Sequence, residues 1–343
     1  MKPLLFILCL LAYAINTNAQ QDLSDSGFTN KAEAKNLKKD TLKEGKWFEY
    51  KDSDSYVTTD SNAPYYALVI LKDGKPQGLV RQYYRKSGKL YSLAFYVNGL
   101  EDGLSKQYYE DGKIMFTFPF VMGKQEGVIR QYYESGALEG EYPFVNDMQN
   151  GVAKEYYEDG KLKTEYTYKD GDEQGIGMEY YESGQVSGEY PFKDGEQDGV
   201  VKEYYENGQL SGAYPFSKGN HEGISKEYYI NGQIKGIYPY KGDYENGVEK
   251  QYFESGKPMG EYPYSYGNKD GVGKEYYESA RIKGEYPYSN DKKNGVEKEY
   301  YENGKLKSRI TYLMGDIMKS EYWDETGTTI NQPQRNGAII HMR

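Results

Sequence analysis

Carboxylates are the most frequent side chains in this sequence that could carry out chemistry. Acidic connectors such as Lys169–Glu173 and Asp194–Asp198 supply the clustered oxygen ligands that calcium binds. Their spacing matches neither an EF-hand loop nor a calcium-binding nonapeptide repeat, so solvated loops are the better interpretation. Glu155, Glu203 and Glu275 could be glycosidase carboxylates, but catalysis needs one differentiated pair and these residues are copies of one another. The sequence therefore favours a structural use for them.

Histidine and cysteine are too scarce for most metal and thiol sites. The 343 residues include two histidines, His221 and His341, and one cysteine, Cys9. His221 lies in a polar connector whose motif contains no serine or cysteine partner, and it is predicted to be a surface residue. We therefore expect no cofactor, no metal and no enzymatic activity. An unrecognised active site would have to lie in the irregular ends, 20–62 or 311–343.

The composition predicts a thin or repetitive fold. Tyrosine accounts for 41 residues and glycine for 40, whereas hydrophobic residues make up only 37 % of the chain. A conventional core is hard to build from tyrosine because its hydroxyl needs a partner when it is buried. The net charge of -10 repels phosphate backbones and anionic lipid surfaces on average. Nucleic-acid binding and binding to anionic membranes are therefore not expected.

The first nineteen residues have the pattern of an export signal. A basic residue precedes an apolar run over 3–15, and small residues lead to a cleavage site after Ala19. A transmembrane anchor would need roughly 20 apolar residues, more than this run provides. We predict a signal peptide over 1–19, a polar tether over 20–43, and a protein in the periplasm, on the outer surface or secreted. Cys9 lies within the signal, so the mature chain would have no disulfide.

Three features recur with a period of 24 residues. One glycine series comprises Gly103, Gly127, Gly151, Gly175, Gly199, Gly223, Gly247, Gly271 and Gly295. A second comprises Gly88, Gly112, Gly136, Gly160, Gly184, Gly208, Gly232, Gly256 and Gly304, with Ala280 where a glycine is due. An aromatic pair, Tyr-Tyr in nine of ten copies, lies between the two series. We predict tandem repeats over 79–310, a divergent N-terminal repeat or cap over 44–78, and a C-terminal cap and tail over 311–343.

Each repeat is predicted to be a β-hairpin. An Asn-Gly or Asp-Gly pair after a short aromatic and β-branched run indicates a two-residue type I′ turn. A turn centred on Asp159 and Gly160 places Lys154 opposite Glu165 and Tyr157 opposite Leu162. The same rule gives the pairs Arg130 with Glu141, Lys250 with Glu261, Lys274 with Glu285, Met178 with Glu189 and Lys298 with Arg309. Unlike charges in direct opposition stabilise a sheet by roughly 0.2 to 1 kcal/mol per pair.

A proline in the second strand of most repeats constrains the sheet. It occurs at Pro119, Pro143, Pro191, Pro215, Pro239, Pro263 and Pro287. Because proline has no N–H to donate, this position is expected at a strand end, a bulge or an unpaired edge, where the strand changes direction. Each face of such a hairpin is half apolar and half charged. The pattern therefore predicts an all-β fold, a single-layer antiparallel sheet whose aromatic stripes pack on the next repeat.

The glycines, the tyrosine pair and the Asn-Gly turn resemble the bacterial variant of the MORN repeat. The resemblance covers about Gly45 to Gly327. It implies an elongated, twisted ribbon of successive β-hairpins. Bacterial members often carry the label of toxin-antitoxin antitoxins, and eukaryotic members are associated with membrane attachment, scaffolding and protein contacts.

We predict a non-catalytic scaffold that binds an unknown protein partner in the bacterial cell envelope or outside the cell. The candidate surface consists of Tyr132, Tyr156, Tyr180, Tyr204, Tyr228, Tyr276, Tyr300, Lys154 and Glu165. Tyrosine suits protein contacts because it offers a large contact area at low entropic cost. The alternative is carbohydrate or cell-wall binding through repeated tyrosine platforms, and the resemblance adds an antitoxin-like, immunity-like or membrane-associated role. Tyrosines clustered with lysine and glutamate would favour protein, and isolated flat rings would favour sugar.

Overall fold

A computed structural model describes residues 28–331 of the chain. The predicted signal peptide with Cys9, the first part of the predicted tether, and the end of the C-terminal tail with His341 lie outside the described residues.

The chain divides into two compact units, which are described separately. The first unit contains the described residues up to Lys113 together with Phe120–Gly123, and the second contains Ile114–Pro119 and the residues from Lys124 onward. Both units are built from antiparallel strands, as the repeat pattern predicts.

The first unit opens with a short 3₁₀ helix, Lys31–Glu33. Its strands are Leu37–Lys39, Leu42–Lys51, Val57–Thr58, Tyr65–Lys72, Lys75–Pro76, Gly78–Tyr84, Leu90–Val97, Leu100–Glu101 and Gly103–Tyr108. Here the aliphatic residues of the chain concentrate into a small core, formed by Trp47, Val69, Leu71 and Val80. The Trp47 indole N–H donates to the backbone carbonyls of Leu37 and Glu44. The divergent N-terminal repeat is therefore the part of the described chain with a conventional hydrophobic core.

The second unit repeats one pattern, a first strand of about six residues, a second strand of eight and a two-residue connector strand. The first strands are Gly127–Tyr132, Gly151–Tyr156, Asp172–Tyr180, Gly199–Tyr204, Gly223–Tyr228, Gly247–Tyr252, Gly271–Tyr276 and Gly295–Tyr300. The second strands are Ile114–Val121, Leu138–Val145, Leu162–Lys169, Val186–Lys193, Leu210–Ser217, Ile234–Lys241, Pro258–Ser265, Ile282–Ser289 and Leu306–Leu313. The connector strands are Lys124–Gln125, Met148–Gln149, Glu196–Gln197, Asn220–His221, Tyr244–Glu245, Asn268–Lys269 and Lys292–Lys293. Asp316–Trp323 and Thr329–Ile330 close the unit.

The hairpin turn differs from the predicted type I′ turn. The N–H of Gly160 donates to the Tyr157 carbonyl, and the N–H of Tyr157 donates to the Lys161 carbonyl. Gly160 has a φ of +85°, whereas Asp159 keeps a negative φ, although a type I′ turn requires positive φ at both. The turn is therefore a type I turn followed by a left-handed glycine and a β-bulge. This arrangement explains the second glycine series, and Ala280 adopts the same conformation with a φ of +64°.

Away from the turn, the predicted register is confirmed. Lys154 pairs with Glu165. The other predicted pairs are also present: Arg130 with Glu141, Lys250 with Glu261, Lys274 with Glu285, Met178 with Glu189 and Lys298 with Arg309. Next to the turn the rule is wrong, because the bulge shifts the register and places Tyr156 rather than Tyr157 opposite Leu162.

The recurring proline lies inside the second strand, where the pairing to the next repeat is interrupted. Pro143 pairs with Val128 across its own hairpin, and the strand continues to Val145. The Pro143 carbonyl accepts the N–H of Asn150, which lies outside any strand. Where Thr167 replaces proline, it pairs with the next strand, which runs unbroken over Asp172–Tyr180. In the second unit, proline therefore occupies a position where the sheet does not use an N–H donor.

The first glycine series makes room for this proline. At Gly151 the φ is +119°, and a Cβ atom would lie 3.1 Å from Pro143 Cγ. Both the backbone conformation and the close approach of the ring select glycine. The two series therefore recur for different reasons, one at the hairpin turn and the other beside the connector.

Candidate interaction surface

The second tyrosine of each pair joins its repeat to the next one. The hydroxyl of Tyr157 donates to the backbone carbonyl of Tyr180, the first tyrosine of the next pair, over 2.6 Å. The same bond links Tyr133 to Tyr156, Tyr181 to Tyr204, Tyr205 to Tyr228, Tyr229 to Tyr252, Tyr277 to Tyr300 and Tyr301 to Trp323. Phe253 stands at one of these positions and has no hydroxyl. We call this contact the tyrosine staple.

In four of the pairs, the first tyrosine donates a hydrogen bond to a glutamate of one face. Tyr204 donates to Glu189 over 2.8 Å, and Tyr156 reaches Glu141 at 3.4 Å. Tyr276 and Tyr300 make the equivalent bonds to Glu261 and Glu285. These four tyrosines therefore cluster with charged residues instead of standing as isolated platforms.

A row of charged residues crosses the second unit on this same face. Glu141 lies between Arg130 of its own hairpin and Lys154 of the next repeat. Continuing through direct cross-strand neighbours, the row contains Arg130, Glu141, Lys154, Glu165, Met178, Glu189, Lys202, Ala213, Lys226, Ile237, Lys250, Glu261, Lys274, Glu285, Lys298, Arg309 and Glu321. We call the face that carries this row the charged face.

Opposite charges in the row form ion pairs across the sheet. The N–O distance is 2.9 Å for Lys154 with Glu165 and for Lys202 with Glu189. Hydrogen bonds from Lys202 and then from Tyr204 lower the pKa of Glu189, and Glu189 in turn raises the pKa of Lys202. Both partners therefore stay charged at neutral pH. Because these side chains remain partly exposed, each pair adds little stability, about 0 to 1 kcal/mol.

An exposed apolar row runs alongside the charged row. Each first strand places a β-branched residue two positions before the charged residue, so both lie on the same face. The exposed members are Val152, Ile176, Val200, Ile224, Val248, Val272 and Val296, with exposed fractions from 42 % to 58 %. Most of them pair with a proline of the second strand, as Val200 does with Pro215. Such a periodic apolar stripe on an open surface is typical of a docking site.

The apolar row was not among the residues predicted from the sequence, although the sequence carries a signal for it. A valine or isoleucine follows each glycine of the first series from Gly127 to Gly295. The nine predicted surface residues share the charged face. The apolar, charged and tyrosine rows together make up the candidate interaction surface.

The opposite face is packed by tyrosines lying over glycines. A Cβ atom on Gly140 would lie 2.5 Å from the hydroxyl oxygen of Tyr142, so the ring covers the glycine of its own strand. The Tyr142 hydroxyl then donates to Glu155 of the next first strand over 3.1 Å. Glu275 accepts from two such rings, Tyr262 and Tyr286. Glu155 and Glu275, two of the glycosidase candidates considered above, thus bind tyrosine hydroxyls.

His221 is packed between two rings, which corrects its expected place as an isolated surface residue. The ring centroid lies 4.8 Å from that of Phe216 and 3.9 Å from that of Tyr240, with nearly parallel planes. The Nε2 atom is 2.6 Å from Ser225 Oγ, a partner four residues further along. Burial lowers the pKa of His221. Ser225 is only 1 % exposed, and both residues line a small pocket of about 180 Å³.

The described residues 28–331 contain neither a metal-binding cluster nor a membrane-spanning helix. Within this part of the chain, no group of three or more histidine, cysteine, aspartate or glutamate side chains is placed to hold a metal ion. No helix of the described residues has the length and apolar character needed to cross a membrane.

The sequence matches one family model repeatedly. The model for the MORN repeat variant matches residues 101–121, 125–146, 149–170, 173–194, 197–218, 222–241, 245–266 and 293–313. These segments together cover half of the chain. Each matched segment contains a second strand. Most segments begin in the connector before a first strand or end in the connector after a second strand.

Solved structures with some likeness to this chain are distant. The crystal structure of TcdB2-TccC3 is 10 % identical over 81 % of this chain, with a TM-score of 0.15, and this chain spans about one fifth of its length. A protein of unknown function from Bacteroides caccae is 13 % identical over 78 % of this chain and 93 % of its own, also with a TM-score of 0.15. No curated protein matches the sequence.

Proposed function

The chain belongs to the MORN repeat variant family. We propose that it is a non-catalytic scaffold that binds a protein partner through the charged face. The observation that carries this proposal is the exposed apolar row beside the charged and tyrosine rows, repeated in register through the second unit. Protein interfaces combine an apolar strip with tyrosine and with polar groups at the rim. A partner with apolar side chains spaced along its length would meet equivalent contacts in successive repeats.

The surroundings of the tyrosines support protein over sugar as the ligand of this face. Tyr204 and Tyr300 donate to glutamates that also form ion pairs with lysines, so their hydroxyls contact the charged row. A sugar-binding platform needs a free ring face with polar groups around its edge. The second tyrosines are also tied to backbone carbonyls through the staple.

The proposal also covers where the protein acts and its lack of catalytic activity. We propose export through the signal peptide over 1–19, so that the scaffold acts in the cell envelope or outside the cell. N-terminal sequencing of the protein recovered from its producing cell tests this, with a mature chain beginning near Gln20 as the expected result. The repetition of equivalent residues in successive hairpins supports a distributed binding surface over an active site.

Site-specific photo-crosslinking tests the proposed surface. A photoreactive residue replaces Val200 or Ile224 on the charged face of the full chain, and Gln209 in an exposed turn serves as the matched control. In the producing cell's envelope, the two face positions are expected to capture the same protein, and the turn position is not. Equal capture at all three positions, or capture at the turn alone, would contradict the proposal.

A further inference from the structure

A pocket in the first unit differs from the repeated surface in shape and chemistry. Its volume is about 380 Å³, which lies in the range of ligand-binding clefts. Three aromatic rings and three cationic side chains line it: Phe48, Tyr50, Tyr66, Lys31, Arg85 and Lys86. We call it the cationic pocket. All of its lining residues belong to the first unit.

The aromatic floor of the pocket is fixed by strand pairing. Tyr66 lies directly between Tyr50 on one neighbouring strand and Tyr83 on the other. The Phe48 ring lies 4.9 Å from that of Tyr50 in an edge-on arrangement and 5.4 Å from that of Tyr66. Because the central strand is paired on both sides here, it offers no free edge to an extended peptide. Recognition must come from the rings and the side chains above them.

The carboxylates of the described residues leave the three cations of the pocket without an ion pair. Within residues 28–331, the acidic side chains close to this end are engaged elsewhere: Glu33 with Lys46, and Glu49 with Lys43 and Lys51. In the same described range no ion pair involves Lys31, Arg85 or Lys86. The Lys31 ammonium lies 4.0 Å from the centroid of the Phe48 ring.

The first unit as a whole also carries a net positive charge. Its described residues hold 15 lysines and arginines against 12 aspartates and glutamates, whereas those of the second unit hold 25 against 39. The first unit is thus cationic in a chain whose net charge is -10. A local positive potential beside a rigid aromatic floor attracts anions that also carry an apolar surface.

We propose that the cationic pocket binds an acidic sugar residue, with the sugar ring against the aromatic lining and its carboxylate on Arg85 and Lys86. Arginine and lysine together offer a planar pair of donors and a flexible ammonium, a combination suited to a carboxylate. The volume accommodates one sugar ring with its substituents. The open rim lets the neighbouring sugars of a polymer continue into solvent. This site is independent of the protein-binding face of the second unit.

Calorimetric titration of the full chain tests the proposal with two matched probes. The first is a short linear oligogalacturonate, and the second is its methyl ester, which keeps the rings and removes the charge. We expect the acid to bind at least about tenfold more tightly than the ester, and the preference to fall as salt screens the cations. Equal binding of the two probes would overturn the assignment.

Variants separate the two parts of the pocket. Arg85→Gln with Lys86→Gln should weaken binding of the acid at least about tenfold, with little effect on the ester. Lys38→Gln with Lys39→Gln, an exposed consecutive pair, is the control and should leave both affinities unchanged. Phe48→Leu should weaken both probes, with its thermal unfolding measured to establish that the unit is folded. If a glutamate-rich peptide displaces the acid at equal concentration, the pocket recognises acidic protein and the proposal is wrong.

Discussion

At the scale of single residues, the position of a tyrosine in the pair decides what its hydroxyl does. The hydroxyl of the second tyrosine, as in Tyr205, donates to a backbone carbonyl of the next repeat, whereas that of the first tyrosine Tyr204 donates to Glu189 of the charged face. The two residues are neighbours in sequence and identical in chemistry. Sequence alone could not distinguish them because the acceptors lie in other repeats and depend on the register between hairpins.

The pair Tyr252-Phe253 has no hydroxyl at its second position, so it allows a test of the staple. Phe253→Tyr supplies a hydroxyl where the carbonyl of Tyr276 stands in the acceptor position, and we expect it to stabilise the protein by about 0.5 to 1.5 kcal/mol. Tyr205→Phe is the matched reverse change and should destabilise by a similar amount, because it removes a bond of 2.6 Å. Urea unfolding of both variants measures the effect. A destabilised Phe253→Tyr variant would contradict the role assigned to the staple.

Ala280 provides a second test at the residue scale. It holds the left-handed conformation that glycine holds in the equivalent turns, and this costs an alanine roughly 1 to 2 kcal/mol. Ala280→Gly should therefore raise the free energy of unfolding by about 1 kcal/mol. Gly256→Ala, in the preceding turn with a φ of +79°, should lower it by a comparable amount. The comparison fails if both changes shift stability in the same direction.

At the scale of the hairpin, the charge pattern predicted the register better than the turn residues did. Lys154 and Glu165 are complementary, and this constrains their pairing whatever lies between them. The Asp-Gly pair is compatible with two turns, and the bulge that accompanies the observed one cannot be read from two residues. The proline position was recognised as special, but its place inside a continuous strand required the connector contacts of Asn150.

A double-mutant cycle on Lys154 and Glu165 tests the energetic weight of the charged row. Reversing either charge alone should destabilise the hairpin slightly, and reversing both should restore part of the loss. The coupling should stay below about 1 kcal/mol because both side chains are partly exposed. Reversal of Lys154 also brings a like charge next to a second neighbour, Glu141, whereas the second neighbour of Glu165 is the uncharged Met178. A coupling of several kcal/mol would mean that the row is a major source of stability.

At the scale of the whole molecule, the tyrosines on the face opposite the charged row make stability fall at alkaline pH. Burial, followed by the nearby glutamates, raises the pKa of Tyr190 and of Tyr214 to about 12, and Tyr142, Tyr166, Tyr238 and Tyr286 are raised as well. A group whose pKa is raised by folding contributes stability in full below its ordinary value, about 10 for tyrosine, and loses it as the pH climbs through the raised value. We therefore expect the unfolding temperature to fall steeply between about pH 10 and 12, with tyrosinate absorbance and loss of β-structure changing together. Ionisation complete near pH 10 without unfolding would refute this.

Deletion of one repeat tests whether binding is distributed. Removing Val200 to Gly223 joins Gly199 to Ile224 in phase, and the Tyr181 hydroxyl then meets the carbonyl of Tyr228 in place of Tyr204. The shortened chain should fold, because each repeat packs mainly on its neighbours. Affinity for a captured partner should decrease gradually with each further repeat removed, as measured by titration. Complete loss confined to one repeat would indicate a localised site.

The repeat architecture was predictable from periodicity, because nearly identical segments must fold alike. The special chemistry of the first unit was not predictable in this way. Lys31 and Arg85 are far apart in sequence, yet both line one pocket with Phe48, which lies on a strand between them in the chain. A motif search follows neighbours along the chain and cannot find such a group.

The tyrosine staple also bears on how such a gene can change. Every staple reaches from one repeat to the equivalent backbone position in the next, so equivalent codons supply donor and acceptor in the repeats that carry the second tyrosine. Recombination between repeats that preserves their phase creates a new junction identical to the old ones, and the product inherits a complete set of bonds. Length can thus drift by whole repeats between descendants without a folding penalty at the seam. A crossover out of phase would move the acceptor carbonyl away from the tyrosine hydroxyl and break the staple at the junction.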